Sequence, residues 1–505
     1  MSAAPHTVVV GAGVGGLTTA ALLLKAGQRV TVLEAETYAG GCAGTFYHQG
    51  YRFDAGATLA GGFAPGGPHA RLAEALGLEW PVAAVDPAWV VHLPDRTVTQ
   101  WAAPDRWQAE RARAFPGTED FWRRQESLAA AAWDIASRPF PWPPQSPREL
   151  AAVAAALRPR TLRAAPFLFH TIAGLAPRAD ALFTTFLDAQ LLISAQTTAA
   201  RANALYGSAA LDLPRRGVNS VRGGMGGLAQ TLVDWIRANG GEMLFRQKVE
   251  RIEVSRGRAV RAHTQKGLRV EFEALAANLT PWTLRQLLGD DAPGALRRDT
   301  QGLPGAWSAF TLYLGLEAGA LPSGAADHQQ VILDTSRPLG EGNSVFISLS
   351  PAGDAWRAPS GRRAATLSTH TAPGPWWAAR AVGAAAYAAR KAEYTERLLA
   401  AAERALPGLR QAVRLCLAGT PLTFETFTGR KLGLVGGFPQ TSLFSARGPR
   451  TGLANLWLVG DSIFPGQSTA GVTLGAFRVA ADVLATTRAT QPGLAARSRQ
   501  TLYKA

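Results

Sequence analysis

The chain has 505 residues, 47% of them hydrophobic and 18% charged, which excludes an intrinsically disordered chain and leaves room for two or three domains. Its 52 basic against 37 acidic residues give a net charge of +15. Without zinc-finger spacing, an aromatic RNA-binding signature or a dense Lys/Arg run, nucleic acid is set aside and an anionic membrane surface is the expected partner.

The first element is a Val-rich strand, Val8-Val9-Val10, followed by Gly11-Ala12-Gly13-Val14-Gly15-Gly16 and an Ala- and Leu-rich helix over residues 17–26, closed by Gly27. Gly11 permits the tight turn, Gly13 lets backbone N–H groups approach a pyrophosphate, and Gly16 lets helix and strand pack closely. Four glycines interrupt this apolar run and no basic segment precedes it. Neither secretion nor a membrane-crossing helix is therefore expected.

A second strand, residues 29–33, delivers Glu34 at the position of a carboxylate that hydrogen-bonds a ribose 2′-hydroxyl, which disfavours NADP. Gly40-Gly41 follows as a second close approach of backbone to a nucleotide. Residues 80–101 alternate enough to predict strands, and Pro-punctuated helical stretches run from there to about 215. Composition then shifts back. Arg222-Gly223-Gly224-Met225 leads into a predicted helix over 228–239 and strands over 242–245 and 249–254, with Val249 placed to meet an adenine through its backbone. Strand-like runs at 309–316, 344–349 and 364–370 and a helix over 387–405 form a sheet-based region.

Near the end, a strand over 456–459 delivers Gly460-Asp461, a loop through Gly471-Val472, and a helix predicted from Thr473 to about 485. This pattern puts Asp461 on a ribitol hydroxyl and aims a helix N-terminus at the pyrimidine edge of an isoalloxazine, where negative charge develops on reduction. Together the two ends predict a shared FAD. The predicted cofactor-binding residues are Gly11, Ala12, Gly13, Gly15, Gly16, Glu34, Gly40, Gly41, Val249, Gly460, Asp461, Gly471 and Val472. Cys42 and Cys416 lie far apart and the eight histidines are scattered, so neither a disulfide nor a metal site is expected.

The dinucleotide motif, Gly40-Gly41, Phe53-Asp54-Ala55-Gly56, Phe115-Pro116-Gly117, the Arg222-Gly223-Gly224-Met225 turn and Gly460-Asp461-Ser462-Ile463-Phe464-Pro465-Gly466-Gln467 resemble the flavin-dependent carotenoid desaturase and isomerase family, nearly end to end. Phe186-Leu187-Asp188-Ala189-Gln190-Leu191, Ala204-Leu205-Tyr206-Gly207 and Ser468-Thr469-Ala470-Gly471-Val472-Thr473-Leu474 are most similar to its carotenoid 3,4-desaturase branch. Position 42 departs from broader flavin oxidases, where a basic residue follows the paired glycines.

The resemblance implies an α/β fold with a discontinuous Rossmann-like FAD domain (residues 1–75, 215–300 and 415–505), a sheet-based substrate domain (76–135 and 301–414) and a helical, membrane-contacting subdomain (136–214). It implies a polyene substrate, hydride transfer to the flavin and proton loss to a weak base or water, with quinone or oxygen as electron acceptor. The chain carries no Ser-His-Asp pattern, activated cysteine or paired carboxylates, so the catalytic residues stay unassigned. Asp188, Glu425 and His370 are the polar candidates, and for each a satisfied structural role has the better odds. Phytoene-type desaturation, isomerisation of a poly-cis carotene, a flavin amine oxidase and a non-enzymatic carotenoid carrier are the alternatives.

Arg158, Arg160 and Arg163, followed by Phe167 and Phe169, suit a monotopic patch with guanidinium groups at the headgroups and rings in the acyl boundary. The location expected from this patch is cytoplasmic and peripheral on the inner face of the cell membrane.

Overall fold

The computed structural model describes residues 4–177, 180–302 and 307–489. Val8, Val9 and Val10 are buried, and His6–Val10 is the middle strand of a five-stranded, all-parallel sheet. The order is Glu242–Leu244, Arg29–Leu33, His6–Val10, Ala274–Ala277, Leu456–Leu458. Strands buried on both faces read as unbroken apolar runs, which is how these segments stand out in the sequence. The chain leaves this sheet after Leu33, returns at Glu242, leaves again after Ala277 and returns at Leu456, so sequence-distant segments share one core.

Helix Val14–Lys25 follows the central strand and packs against both Gly226–Ala238 and Thr469–Ala489. Two helix starts differ from expectation. The first begins at Val14 rather than Leu17, since Gly15 and Gly16 are already helical. The last begins at Thr469 rather than Thr473, because Ser468 closes the turn: its Oγ accepts from Gly471 N at 3.0 Å and its carbonyl from Val472 N at 3.0 Å. Gly471 and Val472 thus belong to the first helical turn. A Cβ at Gly471 would meet Gly466 O at 2.7 Å, so glycine here serves helix entry rather than loop freedom.

A second, seven-stranded sheet runs in the order Val413–Gly419, Ser308–Glu317, Arg362–Thr371, Ser344–Leu349, His328–Ile332, Trp89–His92, Thr97–Gln100, with one parallel pair, His328–Ile332 against Trp89–His92. Helix Ala384–Ala405 supplies Tyr394, Leu398, Ala401 and Ala402 to the core shared with its central strands. Another core joins Trp89, Val91 and Val98 to aromatic side chains of helices Glu119–Ala136 and Ala181–Ala195.

Candidate functional site

Strand His6–Val10 has Arg29–Leu33 on one side and Ala274–Ala277 on the other, so strand order reverses about it. Open parallel sheets bind ligands at the carboxyl ends of strands flanking such a reversal. Four segments meet there. Gly11 turns at φ +94° beneath Asn278, and Gly40 N donates to Ala12 O at 2.9 Å, which brings the paired glycines onto the first loop. A Cβ at Gly15 would lie 3.3 Å from Gly460 N, so the two ends of the chain are in backbone contact.

The glycines are enforced by space. A Cβ at Gly13 would come within 2.5 Å of Asn278 Nδ2, and one at Gly16 would overlap Gly11 O and lie 2.9 Å from Asn278 Cβ. Helix Val14–Lys25 has no side chain capping its N-terminus and no acidic residue in its first turn. Its first amides and its positive dipole end therefore face the crevice without an internal anion.

Glu34 lies at the end of its strand, where Oε2 accepts from Ala12 N at 2.6 Å and Oε1 from Glu36 N at 2.9 Å. The carboxylate is thus oriented from both sides by main chain while lone pairs remain for a hydroxyl donor. Val249 opens strand Val249–Ser255 beside this corner, since Gln247 N donates to Glu34 O at 2.8 Å. Asp461 pairs with Arg430, Nη2 to Oδ2 at 3.0 Å.

Two residues at this crevice were not anticipated from sequence. Asn278 ends strand Ala274–Ala277, its N donating to Val10 O at 2.8 Å, and its side chain lies among Gly13, Gly15 and Gly460. Arg430 reaches the site from a loop in the returning chain. An Asn directly after a short apolar strand and before Thr280-Pro281 was the available signal for the first; nothing local marks the second.

The three polar candidates fall elsewhere. Asp188 Oδ1 accepts from Ala199 N at 2.6 Å, tying helix Ala181–Ala195 to the following turn, and burial raises its pKa. Glu425 Oε1 accepts from Leu432 N at 2.8 Å and so braces the loop that carries Arg430. Burial lowers the pKa of His370 to about 4, and its ring stands edge-on to Trp307. Two of the three are thus engaged with main-chain amides. Among the described residues no group of His, Cys, Asp and Glu is arranged to hold a metal ion.

The sequence profile of the flavin containing amine oxidoreductases matches residues 14–484. The chain belongs to that family. It is an FAD-dependent oxidoreductase, and the crevice fits FAD: close-approach glycines and uncapped helical amides suit a diphosphate, and Glu34 and Asp461 suit ribose and ribitol hydroxyls. Its relatives include the chloroplastic prolycopene isomerase of Arabidopsis thaliana, 29% identical over 94% of this chain and 82% of the relative. Another is the lycopene-forming phytoene desaturase of a Paracoccus species, 26% identical over 95% of this chain and 97% of the relative. These names agree with the carotenoid desaturase and isomerase likeness read from the motifs. Solved structures with the same fold include an oxidoreductase from Methanosarcina mazei, at TM-score 0.61, 18% identity and coverage of 94% of this chain and 99% of that one. Putrescine oxidase bound to putrescine superposes equally well, at TM-score 0.61 and 18% identity over 95% and 99% of the two chains.

Proposed function

We propose that this FAD-dependent oxidoreductase acts on a carotenoid, introducing a C-3,4 double bond into an acyclic or monocyclic polyene. The observation that carries the carotenoid part is the end-to-end likeness to prolycopene isomerase and phytoene desaturase. The 3,4 position rests on motif likeness at residues 186–191, 204–207 and 468–474. When bound, FAD supplies hydride acceptance. In this reading Gly11, Ala12, Gly13, Gly15 and Gly16 receive the diphosphate, Glu34 and Val249 the adenosine, and Gly460, Asp461, Gly471 and Val472 the ribityl and ring. The electron acceptor is a quinone or oxygen.

Isomerisation of a poly-cis carotene is the second reading, favoured by the name of the Arabidopsis relative. Anaerobic incubation of the flavin-loaded enzyme with defined carotenes separates the two. Mass loss of two hydrogens with bleaching of the flavin is the result expected of desaturation; unchanged mass with shifted absorption identifies an isomerase. Peroxide release from soluble amines in air would instead reveal an amine oxidase, and an unbleached flavin with unaltered carotene a carrier.

We also propose peripheral docking on the cytoplasmic face of an anionic membrane. Arg158, Arg160 and Arg163 are exposed, although Arg158 also approaches Asp134 at 3.7 Å. Beside them Phe169 is 82% exposed and stacks on Phe444, itself 56% exposed, at 5.3 Å between ring centroids. Leu157 and Leu162 add to the apolar surface, whereas Phe167 is half-buried beneath Arg124. Among the described residues no helix is long and apolar enough to cross a membrane, so contact would be monotopic. Each arginine contributes about 1 kcal/mol at an anionic surface. Replacing all three by Glu is expected to abolish flotation with anionic liposomes; unchanged flotation would remove this patch as the docking surface.

A further inference from the structure

Residue 42 directly follows the glycines that approach the first loop, and it is a cysteine whose thiol burial keeps protonated, raising its pKa. It brings no charge to a crevice that must receive a dianion. The guanidinium of Arg430 fills this gap. It lies within hydrogen-bonding reach of the Cys42 thiol, pairs with Asp461 through two contacts at 3.0 and 3.3 Å, and is mostly buried. Burial works against its charge, the Asp461 carboxylate beside it favours that charge, and its pKa is raised. A single cation thus touches the residue after Gly41 and the residue after Gly460, on two separate segments that border the diphosphate path.

Its placement is over-determined. Nε donates to Leu434 O at 2.6 Å and Nη2 to Gly436 O. Helix Pro421–Thr428 ends at Gly429 in the left-handed region, and Glu425 holds Leu432 N, itself at φ +56°, so the loop is bent to present Arg430 inward. At the next turn Gly437 packs directly on the Asp461 carbonyl, leaving no space for a Cβ. Such bracing is more than one ion pair requires. The Arg430–Asp461 pair is neutral overall, so the guanidinium acts on a dianion by proximity and direction rather than by net charge, and the uncapped helix end adds to its field.

We propose that Arg430 is the cation of the FAD crevice, binding the diphosphate-bearing part of the cofactor through its charge and holding Asp461 in position. This rests on FAD being the cofactor and not on the carotenoid reading, so the test uses no carotenoid. Apoprotein is titrated with FAD and with riboflavin, which has no phosphate, following quenching of flavin fluorescence, while thermal unfolding of the apoprotein reports folding. Arg430→Gln is expected to weaken FAD binding by about tenfold or more beyond whatever weakening riboflavin suffers through the loosened Asp461. Equal weakening of both ligands would show a purely structural arginine, and no weakening would show a dispensable one; either overturns the proposal. If Arg430→Gln does not fold, Arg430→Lys decides. Retention of the wild-type ratio of FAD to riboflavin affinity within about threefold supports the charge role, and loss of that ratio overturns it.

Discussion

Gly16→Val is expected to purify as a colourless protein, without the visible absorbance of a flavin, and to stay so after incubation with excess FAD. The added Cβ would overlap Gly11 O and press on Asn278 Cβ, both fixed by the parallel sheet. Helix Val14–Lys25 would have to retreat from its strand, taking its free amides out of register with the paired glycines and Gly460. The helix also packs on Gly226–Ala238 and Thr469–Ala489, so retreat disturbs the core, at a cost of about 3 kcal/mol. Gly27→Ala at the far end of the same helix is the control. That residue sits at φ +87° with nothing near a Cβ, so strain of about 1 kcal/mol and full flavin content are expected. Equal flavin occupancy in the two variants would refute the cradle.

This contrast also explains what was legible in the sequence. Glycines at 11, 13 and 16 encode a local geometry, and a local geometry needs only its neighbours to be read; the same holds for buried parallel strands such as Val8-Val9-Val10 and Leu456-Trp457-Leu458. The α/β architecture and FAD followed from those signals. Arg430 carries no such signature and Asn278 only its place after a short apolar strand, since their roles come from where distant strands and loops bring them. Asp188 and Glu425 are charged residues inside apolar helices, and each carboxylate holds a main-chain amide of the next turn or loop, in keeping with the structural role read for them from the sequence. The start of the last helix was hidden because Pro465-Gly466 and Gly471 look like loop residues until Ser468 is seen closing the turn.

The second large effect is expected away from the crevice, at Asp54. Its Oδ1 accepts from Thr45 Oγ1 and from Met225 N, both at 2.7 Å, and its Oδ2 faces Arg357 Nη1 at 3.0 Å, with both charged side chains buried. Arg357 Nε in turn donates to Arg52 O at 2.8 Å. One carboxylate therefore fastens the ribbon Thr45–His48/Tyr51–Asp54, the turn entering helix Gly226–Ala238, and the connection between strands Ser344–Leu349 and Arg362–Thr371. Asp54→Ala strands a buried guanidinium and two donors, and a loss of about 3–5 kcal/mol is expected from the shift of the urea unfolding midpoint. Adding Arg357→Met removes the orphaned charge, so the double variant should be more stable than Asp54→Ala alone. If the double variant is instead less stable by the full cost of a second, independent substitution, the two side chains are not coupled and the ion pair does not join the two sheets.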